Sequence, residues 1–177
     1  MLSGVGEYPI NDINAELTSA VVARNVLAEQ SRLMQQKPWH FNTELGYALP
    51  ADVEGKVPVP SNMIAFDWKR TNLADYTVRG GYVYDRKNQT FIISTGLASD
   101  ITVLLEFADL PQPAKSYLLI RSTRVFQDRW LGDGALHQYQ KEDEKDAWLE
   151  LLQSDAAEAD YNIFDNEHFS MMANRRL

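Results

Sequence analysis

The chain has 177 residues, a formal net charge of −8 and no cysteine. This length suffices for one domain or two small subdomains, and the missing cysteine excludes disulfides and thiolate zinc sites, in keeping with assembly in a reducing cytoplasm. The acidic surplus argues against a nucleic-acid-gripping protein, whose affinity comes largely from neutralising phosphates.

Hydrophobic residues at 45% and charged residues at 24% make an ordinary globular balance. No apolar run approaches the ~20 residues of a membrane span; the longest notable one is Ile101-Thr102-Val103-Leu104-Leu105. The first residues lack the basic and apolar regions of a signal peptide. Gly4-Val5-Gly6 lacks the third glycine, the Lys-Ser/Thr pair and the preceding strand of a phosphate loop.

A helix is expected over about 15–36, capped by Asp12 or Asn14. Ser19, Val22, Ala23, Val26, Leu27, Leu33 and Met34 recur on one broad face. Leu17 and Val21 lie opposite, a second small patch that fits either a subunit contact or plain core packing. Lys37-Pro38 ends the helix, because the residue before proline is steered away from α.

The middle of the chain is expected to be extended. Trp39, Phe41, Thr43, Leu45 and Tyr47 alternate and would share one side of a strand. A turn follows, ending at Gly55. Val57, Val59, Met63, Ile64 and Phe66 continue the extended pattern, but Pro58 and Pro60 point to an edge or a loop. Residues 67–75 read as a polar loop, and Tyr76-Thr77-Val78 leads into a hairpin.

That hairpin is the centre of the reading. Arg79-Gly80-Gly81-Tyr82-Val83-Tyr84-Asp85-Arg86 places Tyr82 and Tyr84 on one side of a strand. The turn Asp85–Gln89 then leads to a β-forming run, Thr90-Phe91-Ile92-Ile93. Gly80-Gly81 predicts a bulge or sharp bend. Gly96–Asp100 turns the chain into a buried strand over 101–107.

Asp109-Leu110-Pro111-Gln112-Pro113 opens a second helix, which runs to about Leu131 and stops at Gly132. Its expected apolar stripe is Ala114, Leu118, Leu119, Ser122, Val125, Phe126 and Trp130. Arg129 falls inside that stripe, where burial would require a carboxylate; it either fixes local geometry or meets a partner. Arg124 and Asp128 are spaced to pair. A last helix is expected over 136–159. Its first half is a charge run with no apolar stripe, read as a solvated face or a contact with a neighbour or lumen. Its second half carries Ala147, Trp148, Leu151, Leu152, Ala156 and Ala159. The polar tail from Asn166 is expected to dock on assembly.

No catalytic site and no metal or cofactor site is expected. His40, His137 and His168 lie far apart in sequence, and there is no nucleophile elbow. Asn88-Gln89-Thr90 fits a glycosylation sequon, but a turn accounts for Asn88. Among 25 acidic residues, a glycosidase carboxylate pair cannot be chosen from sequence. A hydrolase of envelope or capsular polysaccharide is therefore the alternative to a structural role. A generic host-interaction module is a third.

Five separated segments carry a family resemblance in shared order. They are Gly6-Glu7-Tyr8-Pro9; Trp39, Phe41, Asn42, Glu44 and Gly46; the octet 79–86; Arg124, Phe126, Arg129 and Gly132; and Tyr161–Asp165. Together they resemble the tail tubular protein A family of T7-like short-tailed bacteriophages. In that family the first segment normally follows an N-terminal helix, nearly absent here, so a late start or a shortened helical bundle is expected.

The resemblance implies an α+β fold. A discontinuous helical subdomain (1–38 and 109–160) would form the bundle, with a central antiparallel β subdomain (39–108) and a C-terminal arm (161–177). It implies a structural subunit of the virion, assembled in the host cytoplasm into a dodecameric ring. That ring joins the twelvefold portal to the sixfold nozzle protein, tail tubular protein B, with tail fibres attaching nearby. DNA passes through without specific binding, and no membrane is involved. Ring closure calls for one face meeting a different face on the next copy, and Gly80-Gly81 is an expected point of adjustment. An acidic lumen would repel DNA and keep ejection from stalling. The signature expected to serve assembly or structure is Trp39, Phe41, Arg79, Gly80, Gly81, Tyr82, Tyr84, Asp85, Arg86, Arg124, Phe126, Arg129 and Gly132.

Overall fold

The computed structural model describes residues 18–67, 75–130 and 134–158. The expected caps at Asp12 and Asn14, the loop at 68–74, the stop at Gly132 and the segment 161–177 lie outside them. Three α-helices and antiparallel sheets make the α+β class expected from the sequence. The chain forms two compact units, Leu27–Leu110 and a helical unit from Met1–Val26 with Pro111–Leu177. The first helix, α1 (Thr18–Gln35), contributes to both.

In the unit Leu27–Leu110, α1 ends where Pro38 follows. Side chains then satisfy the carbonyls that a helix end leaves without partners. Trp39 Nε1 donates to the Met34 carbonyl at 2.8 Å. Asn42 Nδ2 donates to the Gln35 carbonyl at 3.0 Å, while its Oδ1 accepts from the Trp39 amide at 2.9 Å. These bonds need a tight turn, so His40–Asn42 is a 3-10 turn and not the start of a strand. The expected shared face of Trp39, Phe41, Thr43, Leu45 and Tyr47 is thereby broken. Trp39 is buried, whereas Leu45 is 75% exposed.

The middle of the chain makes two antiparallel sheets where one was expected. In the first, β1 (Thr43–Leu49) and β2 (Met63–Asp67) flank β5 (Leu97–Val103). Strand β5 starts and ends earlier than the pattern suggested, and Phe107 falls in a 3-10 turn, Phe107–Asp109. The second sheet is the hairpin β3 (Tyr76–Arg79) and β4 (Tyr82–Asp85). The other side of β4 is lined by a proline-bearing segment: Val83 N–H donates to the Val57 carbonyl at 2.9 Å, and Val59 N–H to the Gly81 carbonyl at 3.0 Å. Pro58 lacks an N–H, and this broken pairing spares it the need for one.

Leu49, Val57, Val83 and Ile93 form the buried cluster of this unit, with Ala51, Val59, Tyr76 and Leu97 packed on it. Gly96 shapes its entry. Its φ is +64°, and a Cβ there would sit 2.9 Å from the Leu49 carbonyl oxygen. Only glycine avoids both the strain and the clash.

In the helical unit, α2 (Gln112–Trp130) and α3 (Gly134–Glu158) pack together. Ala23, Val26 and Phe126 form one buried cluster with Val22 and Val125 against it. The expected α2 stripe is partly corrected. Leu119 and Trp130 are exposed, and Tyr117 and Gln127 are buried instead. The helix meets neighbours on more than one side, so one stripe does not describe its packing. Arg129 is exposed, which removes the need for a buried partner. On α3, Ala147 and Leu151 are buried as expected, but Leu152 and Ala156 face outward.

Candidate assembly surface

The hairpin is built by its turns. Arg79 pairs with Tyr82, so Gly80-Gly81 is the two-residue turn itself and not a bulge. Both glycines have positive φ, +58° and +81°, as a turn matched to the strand twist requires. A Cβ at either would meet no atom within 4 Å, so the requirement is conformational and not one of space. Beyond β4, the turn Arg86–Gln89 is closed by a bridge between Asp85 and Thr90. The expected strand 90–93 is reduced to this bridge and one between Lys56 and Ile92.

Asp85 holds that second turn. Its carboxylate accepts from the Lys87 and Asn88 amides, both at 2.9 Å, and from Asn88 Nδ2 at 2.7 Å. Hydrogen bonds from Asn88, backbone then side chain, hold its pKa below the usual carboxylate value. Asn88 is thus a turn-closing residue, as its position suggested. Arg86 pairs with Asp75 at 3.2 Å on the surface, a contact of little energetic weight.

Register places Thr77, Arg79, Tyr82 and Tyr84 on one face, and Tyr76, Val78, Val83 and Asp85 on the other. The second face covers the apolar cluster; Val83 and Asp85 are buried, and burial raises the Tyr76 pKa. The first face looks outward. The Arg79 guanidinium lies 4.0 Å above the Tyr84 ring, and Phe91 meets Tyr84 edge-on at 4.8 Å. Lys56 Nζ sits 5.9 Å from the exposed Tyr82 ring and pairs with Glu54 at 2.6 Å. The hydrogen bond that Lys56 donates to Glu54 is the main reason its pKa rises.

The remaining signature residues separate by role. Trp39 caps α1, and Phe41 stacks on it with ring centroids 6.0 Å apart. Phe126 is fully buried and stacks on Trp130 at 5.7 Å. Arg124 binds Asp128 at 3.1 Å, as the spacing suggested, and also the Glu144 carboxylate. Arg121 reaches the same carboxylate at 2.8 Å. The hydrogen bond to Glu144 is the leading reason the Arg124 pKa rises. Burial raises that of Tyr117, whose ring packs against Trp148 at 5.0 Å.

Two residues that sequence reasoning missed are central. Glu144 lies in the charge run read as a solvated face or a contact with a neighbour or lumen, yet its side chain is only 12% exposed between two arginines of its own chain. Its spacing of three and seven residues from Ala147 and Leu151 was the available signal. Gln35 is fully buried. Its Nε2 donates to the Leu105 carbonyl at 3.0 Å, and its Oε1 accepts from the Leu105 amide at 2.8 Å. No sequence pattern marks that contact, because the partner lies 70 residues away.

Among the described residues no group of His, Asp and Glu could hold a metal ion, and no helix is long and apolar enough to cross a membrane. Several large apolar side chains are exposed: Leu45 and Tyr47 on β1, Ile92 beside the hairpin, Leu119 and Trp130 on α2, and Leu149 and Leu152 on α3.

Tail tubular protein A of Klebsiella phage KP34 is 29% identical over 145 residues, covering 81% of this chain and 77% of that protein. The tail tubular protein family matches residues 1–161. The chain therefore belongs to the tail tubular protein family and is a structural subunit of a bacteriophage tail.

Proposed function

We propose that this protein is a ring-forming adaptor of the phage tail tube, lying between the portal and the nozzle, with DNA passing through its centre. The match to the tail tubular protein family over residues 1–161 carries this reading. The exposed apolar side chains on β1, α2 and α3 agree with a subunit that buries more surface on assembly. The net charge of −8 suits a wall along which DNA slides without adhering.

The reading includes the partition into a helical subdomain (1–38 and 109–160), a β subdomain (39–108) and an arm (161–177). It also includes assembly in the host cytoplasm, and the portal, nozzle protein and tail fibre as neighbours. The signature residues then divide between scaffold and contact: Trp39, Phe41, Gly80, Gly81, Asp85, Arg124 and Phe126 shape the subunit, and Arg79, Tyr82 and Tyr84 face outward.

A density map of the virion tests this. The expected result is a closed ring of these subunits at the head-to-tail junction, enclosing the DNA path. A virion whose junction lacks the protein overturns the reading. Release of sugar from purified capsular polysaccharide, abolished by one carboxylate substitution, would instead support the hydrolase.

A further inference from the structure

Self-association of this chain faces an electrostatic obstacle. With 25 acidic and 17 basic residues, two copies repel unless acidic surface on one meets cations on the other. Most of the cations described above are already matched with acids. Arg86 has Asp75, Lys56 has Glu54, and Arg121 and Arg124 share Glu144. Arg79 differs. It is exposed, and its guanidinium lies 4.0 Å above the Tyr84 ring with no carboxylate beside it among the described residues. The contact with the ring restrains the guanidinium and leaves N–H groups to receive a carboxylate. Tyr82 lies across the hairpin from Arg79, Phe91 meets the Tyr84 ring, and exposed Ile92 bridges to Lys56, whose Nζ sits by the Tyr82 ring.

The complementary surface is on α3. Glu144, Ala147, Trp148 and Leu151 turn inward. Helical geometry then puts Glu142, Asp146, Leu149, Gln153 and Ala156 in one outward stripe, at spacings of four, seven, eleven and fourteen from the first. All five are exposed. The stripe is acidic at its start and apolar beyond, and the hairpin face is cationic at Arg79 and aromatic around it.

Building on the ring-adaptor reading, we infer that the Arg79–Tyr84 face of one copy receives the Glu142–Asp146–Leu149 stripe of a second copy. The contact is heterologous, one face against a different face, so repetition can close a ring. Arg79 takes a carboxylate of Glu142 or Asp146, and Leu149 packs among Tyr82, Phe91 and Ile92.

The test uses the full chain and measures its mass in solution against concentration and ionic strength. The wild type is expected to self-associate, less so as salt rises. Arg79→Glu should weaken association about tenfold or more. Glu142→Arg with Asp146→Arg should do the same, and the combined variant should recover most of the loss. Arg79→Gln is the milder control, and circular dichroism checks that each variant is folded. If the wild type assembles and the charge reversals leave assembly unchanged, this contact is overturned while the ring reading stands. Failure of the combined variant to recover also overturns it. Arg79→Glu that assembles normally but loses attachment of another tail component reassigns the face to that component. A wild type that stays monomeric at every concentration removes the ring reading and this contact together.

Discussion

The unit Leu27–Leu110 and the helical unit hold their buried side-chain amides in opposite ways. In the first, Gln35 and Asn42 are buried and their amides are engaged, Gln35 with Leu105 and Ser31, and Asn42 with Gln35, Lys37 and Trp39. In the second, Gln127 is buried and neither its Nε2 nor its Oε1 has a partner among the described residues; Ser122 Oγ also lacks one there, as Thr43 Oγ1 does in the first unit. Directed bonds select one geometry, whereas an apolar seam tolerates several. The helical unit therefore depends on packing at Phe126 and on the Glu144 clamp, and the other unit on a few side-chain-to-backbone bonds.

The sharpest way to break this contrast is Phe126→Ala. It empties the centre of the Ala23–Val26 cluster and should cost about 3–5 kcal/mol in denaturant unfolding. A loss below about 1 kcal/mol would mean the seam is not the main support of that unit. Gln35→Ala should cost about 2–3 kcal/mol, since it strands buried partners, and should speed hydrogen exchange at the Leu105 amide. Unchanged exchange there would remove the claimed role of directed bonds.

Gln127→Met sharpens the contrast from the other side. Removing two unpartnered polar atoms at constant length should raise stability by about 1 kcal/mol, and a loss instead would show that the amide has a use. The smallest effect is at Asp85. Its folded pKa is lowered, so its contribution is complete above the ordinary carboxylate value and is lost as pH falls through the lowered one. Exchange protection of the Lys87 and Asn88 amides should persist below the ordinary carboxylate value of about 4 and be lost only at lower pH. Asp85→Asn should flatten that dependence.

Local patterns were legible and long-range closures were not. The break after Lys37, the turn at Asn88 and the shared side of Tyr82 and Tyr84 follow from residues within a few positions of one another. The Gly80-Gly81 bend was legible as a bend, but whether it was a bulge or a hairpin turn depended on Tyr76–Arg79 lying back along β4. The Arg124–Asp128 pair was visible in its spacing, yet the carboxylate that unites Arg124 with Arg121 comes from a different helix.

By itself the sequence determined the α+β class, the place where the first helix ends, the residue types of the turns and, through five ordered motifs, the family. Those features rest on backbone sterics, period and spacing, which act over a few residues. Only the tertiary structure decided that Trp39 and Asn42 cap a helix where a strand was expected, that Gln35 pairs with Leu105, and that Glu144 is drawn inward. It also decided that Arg79 lies on Tyr84 facing out. The Gln35–Leu105 and Glu144 contacts need segments distant in sequence to meet, and a hydrogen bond or ion pair across such a distance leaves no periodic trace along the chain. The caps from Trp39 and Asn42 and the Arg79–Tyr84 contact are local, but they depend on a side chain folding back on its neighbours, which an alternating or helical pattern does not mark.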